Sequence, residues 1–226
     1  MSFGSPYELG FLSASKHAPS RLPSFMQKCF KYLLLPAILF FAGASITYAQ
    51  EAVVVDQVDF NSVDDDWTQV VIELSCGENP DPGARNKDYI QNVGVKIFLG
   101  YKSEVEGEPF DFYTSEVEIL IMERGEDYNV YFYLPGLIVE RDSLPKEPEF
   151  YYAQISINGE VVQPQERTPA MSSNIRDLNV LNSFVSNADE KGSVNESILA
   201  PIYFVYGIDL GRVSDLPPFK RSEPRD

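Results

Sequence analysis

Short runs rich in Val, Ile, Tyr and Phe recur between turn signals from Val53 to Gln163, and this rhythm constrains the chain more than any other feature. Side chains within the runs alternate between apolar and polar with a period of two, which is the signature of half-buried strands. Val53 to Phe60 is the first run, closed by the acidic turn Asp64-Asp65-Asp66. Trp67 to Cys76 follows, with Val70, Ile72, Leu74 and Cys76 on one face and Gln69, Glu73 and Ser75 on the other. Beyond a loop holding Pro80, Pro82 and Gly83, Tyr89 to Lys102 places Val93, Val95, Ile97, Leu99 and Tyr101 in phase. Gly94 and Gly100 fall on the opposite phase, where they mark a bulge or a close neighbour.

Glu116 to Met122 and Tyr128 to Leu134 flank the turn Glu123-Arg124-Gly125-Glu126, and a short apolar run, Leu137 to Val139, comes after Pro135-Gly136. Phe150 to Ile157 and Glu160 to Gln163 flank Asn158-Gly159. Asn-Gly between two apolar runs specifies a hairpin, because both residues accept the positive φ of a type I′ turn. Seven or eight strands over about 115 residues predict a mostly β chain with an immunoglobulin-like antiparallel β-sandwich. Only that general architecture is implied, because from residue 50 onward Cys76 is the one cysteine and the antibody pattern of two cysteines bracketing a tryptophan is absent.

The texture changes after residue 165. Ser172 or Ser173 is placed to cap a helix in which Ile175, Leu178, Leu181 and Phe184 recur at three-residue spacing, widened by Val185. Ile198 to Ile208, ILAPIYFVYGI, reads as a buried strand. The expected organisation is therefore a sandwich over 50–165, a helix plus apolar strand extension over 166–216, and a disordered tail over 217–226.

Ahead of the sandwich, Met26 opens MQKCFKYLLLPAILFFAGASITYAQ, with Lys28 and Lys31 before an apolar run from Tyr32 to Ile46 and then Thr47-Tyr48-Ala49. A basic start, a short apolar middle and small residues before the cut are the marks of a secretory signal peptide over 26–49, cleaved between Ala49 and Gln50. The apolar run contains Pro36 and Gly43 and falls short of the ~20 residues a membrane-spanning helix needs, so no stable membrane span is expected in the mature chain. Residues 1–25 are either an N-terminal extension or lie ahead of a translation start at Met26, which the leader pattern favours. The protein is expected to be exported, to the periplasm or beyond the cell.

Charge and side-chain inventory then exclude most chemistry. The chain has 18 Lys+Arg against 34 Asp+Glu, a formal net charge of −16. Cleavage at Ala49 removes four bases and one acid, moving the net charge from −16 to −19, and takes the only histidine, His17. Nucleic acid is excluded as a partner, because polyphosphate affinity comes from clustered Lys and Arg. Without histidine and with Cys76 as the one cysteine left, neither a Ser-His-Asp nor a Cys-His pair can form, and no His- or Cys-based metal site can be built. No internal disulfide is available, and a buried, inert thiol is the ordinary fate of such a cysteine. The expectation is a protein that is not an enzyme and carries no cofactor.

Three features invite a functional reading. Asp64-Asp65-Asp66, near Asp56 and Asp59, offers carboxylate oxygens suited to calcium, but lacks the glycine and closing glutamate of a helix-loop-helix site, so a solvated turn is expected. Glu116 and Glu118 are a carboxylate pair of the kind glycoside hydrolysis uses, yet they lie on the solvent-facing phase of one strand. Tyr131, Tyr133 and Tyr152 lie out of phase with the apolar faces of their strands. They form either a sugar-stacking or protein-binding surface, or a face covered by the C-terminal helix or ILAPIYFVYGI, and cover is favoured because those segments need burial as well.

The succession of leader, WTQVVIELSCGENP, Pro/Gly loop, DYIQNVGVKIFLGYK and SFVSNADEKGSVNESILAPIYF resembles small exported proteins of Verrucomicrobia-type bacteria, some associated with type IV pilus gene clusters. The resemblance implies an immunoglobulin-like sandwich and a non-enzymatic protein of the cell envelope, with a protein partner near a pilus or secretion assembly. It assigns no residue roles. A carbohydrate, held by the three tyrosines, is the alternative partner.

Overall fold

The computed structural model describes residues 52–220, and the leader with its expected cut between Ala49 and Gln50 lies outside them. Two four-stranded antiparallel sheets face one another. The first runs β1 (Val53–Ser62), β2 (Thr68–Cys76), β5 (Asp127–Leu134) and β8 (Ala200–Pro201). The second runs β4 (Phe110–Glu123), β3 (Tyr89–Lys102), β6 (Phe150–Ile157) and β7 (Glu160–Val161). Placing β1, β2 and β5 against β3, β6 and β7 is the division of an immunoglobulin-like sandwich. Here β4 lies beside β3, and the short β8 takes the place next to β5.

The predicted alternation builds the core. Val70, Ile72, Leu74, Val130, Phe132 and Leu134 from one sheet meet Val93, Val95, Ile97, Leu99 and Ile119 from the other, all without exposed surface. β3 spans the predicted residues, and β4 begins at Phe110, six residues ahead of the predicted start. The glycines on the off phase are close approaches. A Cβ at Gly94 would stand 2.3 Å from Ser156 Oγ, and one at Gly100 would stand 2.9 Å from the Phe184 ring. Asn158 and Gly159 both take positive φ, 53° and 83°, as the type I′ turn requires.

Each sheet also has its outer face partly covered. Helix α2 (Leu178–Lys191) follows a six-residue helix α1 (Gly136–Arg141) in chain order and lays Leu181, Phe184 and Ala188 on the second sheet, with Phe184 ringed by Phe112 and Phe150. The first sheet is crossed by a strap, 205–215, that packs Val205 on Val71, Tyr131 and Tyr133.

Three sequence expectations are corrected. The helix is capped by Asp177, whose Oδ1 accepts from Asn179 and Val180 at 2.8 and 3.0 Å, and not by Ser172 or Ser173. Asp at this position serves the first free N–H groups as well as serine does, and starting at Leu178 leaves Ile175 free to enter the core from the preceding loop. Ile198 to Ile208 is not a strand beyond Ala200–Pro201. Pro201 has no N–H for the ladder, a 3-10 turn over Ile202–Phe204 follows, and Phe204 and Tyr206 are exposed. Residues 217–220 are not a disordered tail, because Pro218 and Lys220 bond the backbone of β4 and Phe219 bridges Ile119. They satisfy an edge strand that would otherwise be bare.

Candidate functional site

Among the described residues, the edges of the long strands β4, β5 and β6 are each met by another segment. β6 is paired by β7 and then by the chain returning alongside it: Val162 N–H donates to Ile155 (2.9 Å), Ala153 N–H to Ala170 (2.7 Å) and Ser172 N–H to Tyr151 (3.0 Å). β5 is met by β8 and by Asp215, whose carbonyl accepts from Asn129 N–H at 2.9 Å. β4 accepts from Lys220 N–H at Glu118 and donates from Leu120 N–H to Pro218, both 2.7 Å. β1 pairs with β2 alone among the described residues.

Beside this uncovered edge the outer face of the first sheet is acidic. A polar trough of about 700 Å³ is bordered by Asp56, Asp59, Glu73, Asp127 and Asp215, with Arg212 as its one cation. None of the five carboxylates forms an ion pair among the described residues, whereas Glu118, Asp142, Asp189 and Glu149 elsewhere all do. On the inner side of the same edge lies a cleft of about 290 Å³, with an apolar floor of Val53, Val55, Ala153, Ile155 and Ala170 and a polar rim that includes Glu166 and Arg167. The edge thus offers backbone hydrogen-bonding groups flanked by a cleft with an apolar floor within and carboxylates without.

The tyrosines singled out by phase do not form a surface. Tyr131, Tyr133 and Tyr152 keep 3%, 0% and 3% of their surface exposed, so no ring face is open to a sugar or a partner. The cover comes from the helix and from a strap that only begins within ILAPIYFVYGI, at Val205, and continues past it to Leu210 and Ser214. The strap covers Tyr131 and Tyr133, with Tyr131 Oη donating to the Ser214 carbonyl (3.2 Å) and Tyr133 Oη to that of Leu210 (3.1 Å). Tyr152 stacks on Phe98 at 6.2 Å beneath the side of α2 that carries Leu181 and Val185. Burial pushes the Tyr152 hydroxyl up to about 12 and raises Tyr133 too, in the second case against the Gln69 hydrogen bond, which lowers it.

Sequence reasoning missed Gln69. Its period places it on the solvent side of β2, and it does point outward, but the strap lies over it. Gln69 is 3% exposed, and its Nε2 donates to Tyr133 Oη (3.0 Å) and the Leu210 carbonyl (2.8 Å), pinning the strap to the sheet. Nothing in the period marks a residue that a distant segment will cover.

The remaining reactive groups are structural. Cys76 is buried and its thiol is pushed up to about 11 by desolvation, which keeps it protonated at neutral pH. Asp142 accepts from Arg141 through both oxygens at 2.6 Å and from Tyr113 Oη at 2.8 Å; the Arg141 bond first, then Tyr113, holds its carboxyl below the usual range. This cluster ties the segment after α1 to β4. Glu118 is engaged by Lys220 at 2.7 Å, and Asp64 accepts from Asp209 N–H. Among the described residues no group of three or more His, Cys, Asp or Glu side chains converges as a metal site requires, and no helix is long and apolar enough to cross a membrane.

Fold and edge together define an immunoglobulin-like β-sandwich with a strapped outer face and a strand, β1, whose outer edge no described residue pairs. No protein-family model matches the chain, and no curated relative matches it. Among solved structures it is similar to a crystal structure of a protein from Akkermansia muciniphila, a member of the Verrucomicrobia, at 16% identity over 76% of this chain and 93% of that one, with a TM-score of 0.48.

Proposed function

We propose that this is an exported, non-enzymatic protein-protein interaction protein of the bacterial envelope, working beside a type IV pilus or secretion assembly. The observation that supports it is the contrast around β1. Of the described carboxylates, Glu78, Asp88, Glu118, Asp142, Glu149 and Asp189 form ion pairs and none of the five around the trough is among them, so the outer face of the first sheet stays acidic, with Arg212 its one cation, where the sheet is also unfinished. Such a face repels other anionic surfaces and favours a partner that presents Lys or Arg. The residue inventory agrees with a binding role, since the described residues contain no histidine and their one cysteine is a buried thiol.

Site-specific photo-crosslinkers in the native cells test the reading. Probes at Gln57 and Glu73 are expected to give a discrete adduct with an envelope protein, and a probe at Glu160 on β7 is expected to give none. Adducts from Glu160 alone, or recovery of the protein only in the cytosolic fraction, would remove it.

A further inference from the structure

β1 has the geometry of a strand awaiting a neighbour. The Val63 N–H bonds the Trp67 carbonyl at 2.9 Å, and β1 from Gln57 to Ser62 keeps one unbroken register with β2. Alternation along an antiparallel strand then turns the N–H and C=O of Gln57, Asp59 and Asn61 toward β2, and those of Val58 and Phe60 away from it. At the other end the Ala52 carbonyl accepts from Gly77 N–H, which turns the backbone groups of Val53 and Val55 outward by the same rule. The register slips between Val55 and Gln57, so Asp56 is an extra residue that bends the strand midway.

Bulges and charges are devices that stop edge strands from pairing indiscriminately. Their sign matters here. A second copy of this chain brings Asp56 and Asp59 against the same residues of the first, and like charges set side by side on adjacent strands are destabilising. A strand carrying Lys or Arg on its outer side meets Asp56 and Asp59 with opposite charge, while its alternate side chains drop into the cleft between Val53, Val55, Ile155 and Ala170. The edge therefore discriminates by charge and accepts by shape.

We propose that β1 takes an added strand from a partner protein, with apolar residues alternating with Lys or Arg, extending the first sheet by one strand. Main-chain hydrogen bonds to Val58 and Phe60 supply the pairing, and the cleft and acidic row supply the selectivity. This rests on the reading of an envelope interaction protein and specifies the partner's chemistry at that site.

The test uses the purified protein and three synthetic peptides of the length of β1: alternating Val and Lys, the same with a central Pro, and alternating Val and Glu. The Val-Lys peptide is expected to bind at least about tenfold more tightly than the other two, a difference of ~1.4 kcal/mol, and to slow amide hydrogen exchange at Val58 and Phe60. The double variant Asp56→Lys, Asp59→Lys, both at solvent-facing positions, is expected to reverse the preference toward Val-Glu. Equal binding of the Pro peptide, or unchanged exchange at Val58 and Phe60, would mean adsorption to an acidic face, which overturns strand addition and leaves the broader reading standing. Absence of binding by any peptide also overturns strand addition, while the crosslinking result decides the broader reading separately.

Discussion

The two long flanks of the sandwich are built from similar strands and end differently. On one flank β5 and β4 would each present a row of unpaired backbone groups, and chain from 200 to 220 is spent on them: β8 on Phe132 and Tyr133, Asp215 on Asn129, Pro218 and Lys220 on β4. On the other flank β6 is covered by 160–172, yet no other described segment pairs with the outer edge of β1. The covered flank carries Tyr131 and Tyr133 buried and Glu118 and Asp142 in ion pairs, whereas Asp56 and Asp59 on β1 form no ion pair among the described residues. Among the described residues dedicated segments meet the edges of β4, β5 and β6 and none meets that of β1, a division that separates stability from recognition.

Substitutions on the two flanks should differ by an order of magnitude if that separation holds. The largest loss is expected for Tyr133→Ala beneath the strap, about 3–5 kcal/mol by the cost of truncating a buried aromatic, read as a fall in the urea midpoint. Gln69→Ala removes the bonds it donates to Tyr133 and Leu210 and the one it accepts from Asn61, loosening the strap for about 1–3 kcal/mol, and amide exchange in 208–215 should accelerate in the same variant. If Gln69→Ala instead leaves strap exchange unchanged, the pin is elsewhere.

A smaller, pH-dependent effect is expected on the sealed flank at Asp142. Its carboxyl is held below its ordinary value in the folded state, so its contribution is present at neutral pH and is lost as pH falls through that lowered value. The stability gap between the wild type and Asp142→Asn should therefore be largest near neutrality and close below about pH 4; a gap that widens on acidification would contradict the assignment. The smallest change is expected on the open flank, where Asp59→Asn should shift stability by less than about 0.5 kcal/mol. A larger loss there would make β1 a structural edge and blur the contrast between the flanks.

Local pattern carried the reading of the sandwich far. β3 and the Asn158-Gly159 hairpin are written in contiguous residues, because alternation and the positive φ of a type I′ turn are properties of neighbours in sequence. What could not be read is what crosses from afar. Tyr131 and Tyr133 belong by phase to an outer face, and only the position of 205–215 decides that they are buried. ILAPIYFVYGI has the composition of a strand, but Pro201 and the exposed Phe204 and Tyr206 show it turning away from the ladder after two residues. The uncovered edge of β1 is legible only in the finished topology, since its acids look in sequence like any solvated row.

The strap is also late in time. Leu210 meets Gln69 across 141 residues and Lys220 meets Glu118 across 102. A ribosome adding about 5–20 residues per second completes β7 several seconds before Lys220 emerges. Through that interval all the long strands exist while Tyr131 and Tyr133 lie bare and the outer edges of β4 and β5 are unpaired, which is the kind of species that associates with its neighbours. Closure over such separations is slow in refolding as well as in synthesis. The most adhesive form of this molecule is therefore the one that immediately precedes its native state, and a chaperone would need to shield the flank that the mature protein hides.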